Sequence, residues 1–153
     1  MKALSLSIPW PTAIERHGKR TENRPRWARH PHLIAQARRM VGQDLAIHSS
    51  GTYDREGAEY IERLTGVLYR RQDVPAKAVT SVVTVTGLLL PGDPCPPGLE
   101  RWYFGSLALV LDNVRVLPNP VAVSGSLGFW TLTGDVLADV NTQLEALSHL
   151  RSA

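Results

Sequence analysis

The sequence holds a single cysteine, Cys95. That excludes an internal disulfide and leaves no Cys/His set with metal-ligand spacing, so neither a metal nor another cofactor is expected. Cys95 lies in "PGDPCPPG", where the prolines and glycines spell a loop. A catalytic thiol needs an ordered, electropositive setting, so Cys95 reads as a bystander. No apolar run is long enough to span a membrane. The one in "MKALSLSIPWP" is too short for a signal peptide, and the expected location is the cytoplasm. A phosphate-binding glycine loop and a Ser/His/Asp set are also missing. Internal repeats and linkers are absent too, so 153 residues, 43% of them hydrophobic, predict one globular domain spanning 1–153.

Acidic residues are scarce in one place. Positions 16–39 carry eight cations (Arg16, Lys19, Arg20, Arg24, Arg26, Arg29, Arg38 and Arg39) against one acid, Glu22. The window has a charge of +7, which leaves −4 for the rest of a chain whose net charge is +3. Such a local field suits an anionic partner, of which nucleic acid is the commonest. A solvated basic face with no partner is the plainer alternative. Three of the five histidines (His17, His30 and His32) and Trp27 share the window.

Periodicity supplies the elements. "KALSLSI" alternates as a strand does, and "PWPTAIERHG" has the early proline and terminal glycine of a short helix. "PHLIAQARRMVGQ" predicts an amphipathic helix with Leu33, Ala37, Met40 and Val41 inward. "DLAIH" predicts a strand ending at His48, with "SSGTYDREG" as a turn. Asp54 is placed to cap a helix over "REGAEYIERLTGVLYRR", with Ile61, Leu64 and Leu68 on one face. The expected strands are 2–8, 44–48, 77–89 and 105–116, the last kinked at Asp112-Asn113. A closing helix, 134–150, aligns Val136, Val140, Leu144 and Leu147. The class is α+β, a small curled sheet or barrel with helices at its ends and in one insertion, because strands and helices do not alternate regularly.

The order of these pieces resembles the ASCH family of PUA-like domains. "ALSLSIPWPTAI" is followed by "HGKRTENRPRW", in which Lys19, Glu22 and Arg24 match the spacing of the family's Gly-x-Lys-x-x-Glu-x-Arg signature. Its glycine is displaced: His17 stands at that position and Gly18 adjoins Lys19. "DLAIHSS", "SVVTVTG" and "SLALVLDNVRVLPNPVAVSGSLGFW" resemble later strands and the closing segment. The resemblance covers residues 2–130, with insertions at 29–43 and 54–75. It implies a PUA-like small mixed β-barrel crossed by a groove that the Lys-Glu-Arg motif lines, with RNA or another nucleic acid as ligand. Some small relatives resemble amidohydrolases that remove an acetyl group from modified cytidine, and others have been proposed to be ribonucleases. In those amidohydrolases a threonine stands where this chain has Glu22, a departure that weighs against deacetylation.

The residues themselves allow a chemistry. In an extended segment Glu22 and Arg24 share a face, with Arg20 too, while Lys19 reaches in from the preceding turn. Arg24 offers a planar fork for phosphate or a base edge. Glu22 can accept from an exocyclic amine. Lys19 can contact phosphate, or act as a base if its charge is disfavoured. A loop-fixing ion pair is the plainer reading; exposed, it contributes about 0–1 kcal/mol. Trp10 and Trp27 bracket the motif. Trp27 is the better base-stacking candidate, and Trp130 reads as core. His48 could serve as an acid or base, or as a satisfied histidine at the core's rim. Three functions follow: a nucleic-acid or modified-nucleoside binding domain, a hydrolase of RNA phosphodiesters or of an acylated cytidine, and a protein-interaction module using helix 134–150.

Overall fold

The structure, a computed structural model, describes residues 1–152. Strand β1 (Lys2–Ile8) lies between parallel β3 (Asp44–Tyr53) and antiparallel β6 (Phe129–Thr131). It is covered on both faces, and this is why its alternation is incomplete. Ala3 packs in one apolar cluster, and Leu4 and Leu6 pack in another. The other strands are β2 (Thr21–Asn23), β4 (Ala78–Leu89) and β5 (Ala108–Ala122). Together they form a six-stranded mixed sheet in the order β2-β5-β4-β3-β1-β6. Register shifts at three places along β4–β5, and one each in β1–β3 and β3–β4, bend it into a half-barrel. The fold is α+β, as its sequence suggests.

Four helices flank the sheet: α1 (Trp10–Arg16), α2 (Pro31–Met40), α3 (Arg55–Thr65) and α4 (Gly134–Ser152). Ile14, Trp27, Met40, Leu45, Val83 and Leu109 fill the interior on one side. A second cluster joins Ala46, Val82 and Val121 to Val140 of α4, and a third joins Ile8 and Ala13 to Ile61 of α3. None of the described helices is long and apolar enough to cross a membrane.

Four elements differ from expectation. Helix α2 ends at Met40, so Val41, expected inward, lies beyond it and is exposed. Strand β3 runs on through "SSGTY" to Tyr53, because neighbours on both sides pair with it: Ser49 opposite Leu6 and Ala78, Tyr53 opposite Ile8. Strand β5 continues past 116 through Pro118 and Pro120, residues that cannot donate to a ladder. Its backbone at Asn119 is satisfied from α4 instead. The Asn119 N–H donates to Gln143 Oε1 (3.0 Å), and Gln143 Nε2 donates back to the Asn119 carbonyl (2.9 Å). Helix α3 stops at Thr65, short of Arg71, because Gly66 takes a left-handed cap at φ 79° and its N–H bonds Glu62 O. Leu68 is therefore off the helix and exposed. Asp54 caps α3 as expected, accepting from Gly57 N at 2.9 Å, and the anticipated kink is at Asn113, φ 50°.

Helix α4 lays its apolar side on the sheet. Val140 is fully buried, Val136 and Leu144 pack partly against the same cluster, and Leu147 is only half-buried beyond it. Val140→Ala removes two buried methyl carbons and should lower unfolding free energy by about 1.6 kcal/mol at ~0.8 kcal/mol per carbon. Urea titration should show a smaller loss for Leu147→Ala.

Candidate functional site

Helix α1 ends at Arg16, and Gly18, at φ 71°, turns the chain through a conformation that side chains rarely adopt. The Lys19 N–H then bonds Ala13 O (3.2 Å), which folds Lys19 under the helix end. Strand β2 follows at once, paired with β5: Thr21 opposite Val110, Glu22 opposite Leu109 and Asn23 opposite Ala108. Alternation sorts its side chains. Thr21 Oγ1 (2.5 Å) and Asn23 Nδ2 (2.9 Å) both donate to the Trp102 carbonyl, while Asn23 Oδ1 accepts from Phe104 N (3.0 Å). Glu22 and Arg24 point to the other partners.

There the three motif residues meet. Lys19 Nζ donates to the Thr21 carbonyl and to Glu22 Oε1 (3.2 Å). Arg24 Nε donates to Glu22 Oε2 (2.9 Å), and Arg24 Nη2 to the Ser5 carbonyl (3.0 Å). Lys19 is 1% exposed and Glu22 7%, so this is a buried ion-pair network rather than a surface fastener. Arg20, expected on the same face, turns away; its Nη1 donates to the Ile14 carbonyl at 2.9 Å.

The electrostatics follow from the burial. Desolvation pulls the Lys19 ammonium below its ordinary pKa; the Glu22 carboxylate offsets part of that, and the Arg24 charge adds to the lowering. Burial alone would raise the Glu22 carboxyl, but the charges of Lys19 and Arg24 and their hydrogen bonds outweigh it and hold the group below the usual carboxylate range. Each Glu22 oxygen takes one bond within the network and retains capacity for another.

Two contiguous clefts of about 260 and 280 Å³ open over this network, sharing Trp10, Glu22, Asn23 and Pro25. The first is walled by Phe104, Gly105 and Ser106, the second by Arg24, Arg26 and Trp27. Trp10 is half-buried; its Nε1 donates to Asp54 Oδ2 (2.8 Å), and Lys19 Nζ lies 5.3 Å from its ring centre.

Trp27 is not the open platform its neighbours suggest. It sits in the short 3-10 helix Pro25–Arg29, 7% exposed, with Phe129 5.1 Å away and the Arg24 guanidinium 5.5 Å from its ring. Burial in the core leaves it only an edge on the cleft. Phe104 is the exposed aromatic instead, 51% accessible, edge-on to Trp10 (6.0 Å) and Tyr60 (5.2 Å). The aromatic run in "RWYFG" was its signal in the sequence, but nothing local shows that Asn23 and Thr21 fasten that loop beside the motif. His48 does not reach the groove; it is 1% exposed and lines another cleft with Ser5.

No family model matches the sequence, and no curated protein matches it. Among solved structures, the chain is similar to the ASCH protein of Zymomonas mobilis. That match has 11% identity over 92% of this chain and 93% of that one, with a TM-score of 0.49. A serine-to-alanine mutant of the Zymomonas protein matches at 13% identity over 95% and 94%, with a TM-score of 0.48.

Proposed function

We propose that this chain, as one ASCH-like domain over 1–153, binds nucleic acid, with RNA or a modified nucleoside seated in the groove over Lys19, Glu22 and Arg24. The observation that carries this reading is the meeting of a doubly ion-paired carboxylate with an exposed aromatic, Phe104, on one cleft. Glu22 accepts from an exocyclic amine of the base. Phe104 and the half-buried Trp10 supply ring faces and edges, worth about 1–3 kcal/mol per stacked base. Arg26 and Arg29 are exposed on the adjoining rim, where the phosphates of a strand would run. The order of sequence motifs set out above supports the same ligand class.

Hydrolysis in the same groove, of an RNA phosphodiester or an acylated cytidine, is a second reading. It is favoured by Lys19, whose burial lowers the pKa of its ammonium and which lines the cleft beside Glu22.

Fluorescence anisotropy with single- and double-stranded RNA and DNA, and with modified nucleosides, tests the binding reading. Log affinity for single strands should fall with log salt by about 0.7 per phosphate neutralised. Arg26→Ala and Arg29→Ala should each reduce that slope, and Phe104→Ala should cost about 1–3 kcal/mol without altering it. Affinity that is flat in salt and indifferent to Phe104 would overturn the reading. Mass spectrometry of the same ligands after incubation separates turnover from binding.

A further inference from the structure

We propose that Ser5 and His48 form a nucleophile–base pair that hydrolyses carboxylic esters, in a cleft that adjoins the nucleic-acid groove at Ser5. The hydrogen bonds fix where the protons are. The Val123 carbonyl can only accept, so His48 Nε2, 2.7 Å away, carries the ring proton. Nδ1 of the neutral imidazole is then an acceptor, and the Ser5 hydroxyl, at 2.9 Å, donates to it. Trp130 Nε1 donates to the same Ser5 oxygen (3.1 Å) and stands edge-on to His48 (5.2 Å). The serine proton thus already points at a base, and the base is oriented by a third group, here a backbone carbonyl where triads use a carboxylate. Burial holds the His48 pKa below its ordinary value, so the ring is free to accept a proton at neutral pH.

The surroundings describe the substrate. The cleft holds about 380 Å³, and Ser50, Lys77, Gly125 and Leu127 line it together with the pair. Gly125 packs so closely that a Cβ there would overlap Ser5 Oγ and come within 2.6 Å of His48 Cε1. Leu127 is 98% exposed at the rim, an apolar surface with no protein covering it. Lys77 is the one charged side chain lining the cleft, exposed and held at φ 54°. An ester with an apolar acyl arm and a negatively charged group fits this set.

In the reaction, Ser5 Oγ bonds to the ester carbonyl carbon as its proton passes to His48 Nδ1. The carbon–oxygen bond to the alcohol breaks, and the alcohol leaves with that proton. Water then gives a proton to Nδ1 and attacks the acyl carbon, and Ser5 Oγ departs and regains the proton. The products are the acid and the alcohol, and no other reactant is consumed.

The pair shares no side chain with the Lys19–Glu22–Arg24 network, but Ser5 also lines the groove and its carbonyl accepts from Arg24, so the two readings are separated by a covalent label on Ser5, which nucleic-acid binding does not produce. A fluorophosphonate probe, which marks serines activated in this way, should give one adduct by intact mass, mapped to Ser5. Ser5→Ala should abolish it, and His48→Gln should slow labelling by about 10²-fold or more. In the parent, labelling should rise with pH and level off, with its midpoint below the ordinary histidine value of about 6.5. With 4-nitrophenyl esters, a preference for those bearing a distal carboxylate should vanish in Lys77→Ala. No adduct, an adduct on another residue, or a parent labelling rate flat from about pH 5 to 8 would overturn the proposal, and the parent's pH profile decides even if His48→Gln fails to fold.

Discussion

Glu22→Gln should lower unfolding free energy by about 3–5 kcal/mol, the usual result of removing one partner from a buried ion pair. For a domain of this size that is a fall in melting temperature of roughly 6–20 °C. An exposed pair would give no more than about 1 kcal/mol, and it is the burial of Lys19 and Glu22 that decides between the two figures. The glutamine keeps the shape but leaves Lys19, 2% exposed at its side chain, and Arg24, 24% exposed, without a counter-charge. Adding Lys19→Met should recover much of the loss, because a buried pair replaced by apolar groups is often neutral or better. Calorimetry on the two single variants and the double gives the coupling directly. A loss under 1 kcal/mol for Glu22→Gln would show that the network is solvated.

The same pair shapes the pH dependence. The folded Glu22 pKa is depressed, so its contribution is present above the unfolded value near 4.5 and is lost as pH falls through the lower folded value. The folded Lys19 pKa is also depressed, from 10.5. Between its folded and unfolded values the unfolded chain binds more protons, so stability contributed by Lys19 rises with pH there. Glu22→Gln should flatten the acid limb of the stability curve.

Gly57→Ala should destabilise the fold by about 1–3 kcal/mol and weaken ligand binding at the same time. Alanine is ordinarily the better helix former, so propensity alone predicts the opposite sign. The structure decides otherwise. A Cβ at Gly57 would stand 2.7 Å from Trp10 Cζ2 and 2.7 Å from Asp54 Oδ2. Asp54 both caps α3 and accepts from Trp10 Nε1, so the new methyl pushes on the cap and the groove wall together. Affinity and urea midpoint should therefore fall in parallel in this variant, whereas Val140→Ala, remote from the groove, should move only the midpoint. A stabilised Gly57→Ala protein would mean that Trp10 yields without cost.

How much of this was legible beforehand depends on the range of the interactions. The first strand, the helix starting at Trp10, the cap at Asp54 and the kink at Asn113 are set by neighbours a few residues away, and the sequence pattern finds them. So is the meeting of Lys19, Glu22 and Arg24, because a turn and an alternating strand bring them together whatever lies opposite. Their burial is not local: it comes from Trp10 and from β5, and no spacing reveals it. The same holds for β3 past His48. Its serines and glycine read as a turn until Leu6 and Ala78 are known to lie beside them. Trp27 misleads for a related reason. A cluster of arginines around a tryptophan looks solvent-facing, yet Phe129, a hundred residues on, closes over it. The Ser5–His48 pair joins residues 43 apart and carries no Ser/His/Asp pattern at all.

The position of β1 also bears on how the chain comes to be folded. Its first residues pair with β3 on one side and with β6 on the other, Lys2 opposite both Leu45 and Thr131. The parallel contact waits for about forty residues of intervening chain, and the antiparallel one for nearly the whole sequence. During synthesis the edge of β1 that will receive β6 is therefore open at least until residues 129–131 have been made. Such distant pairings place refolding toward the slow, millisecond-to-second end for small domains. The open edge of an apolar strand is also the segment most exposed to pairing with other chains before β6 arrives.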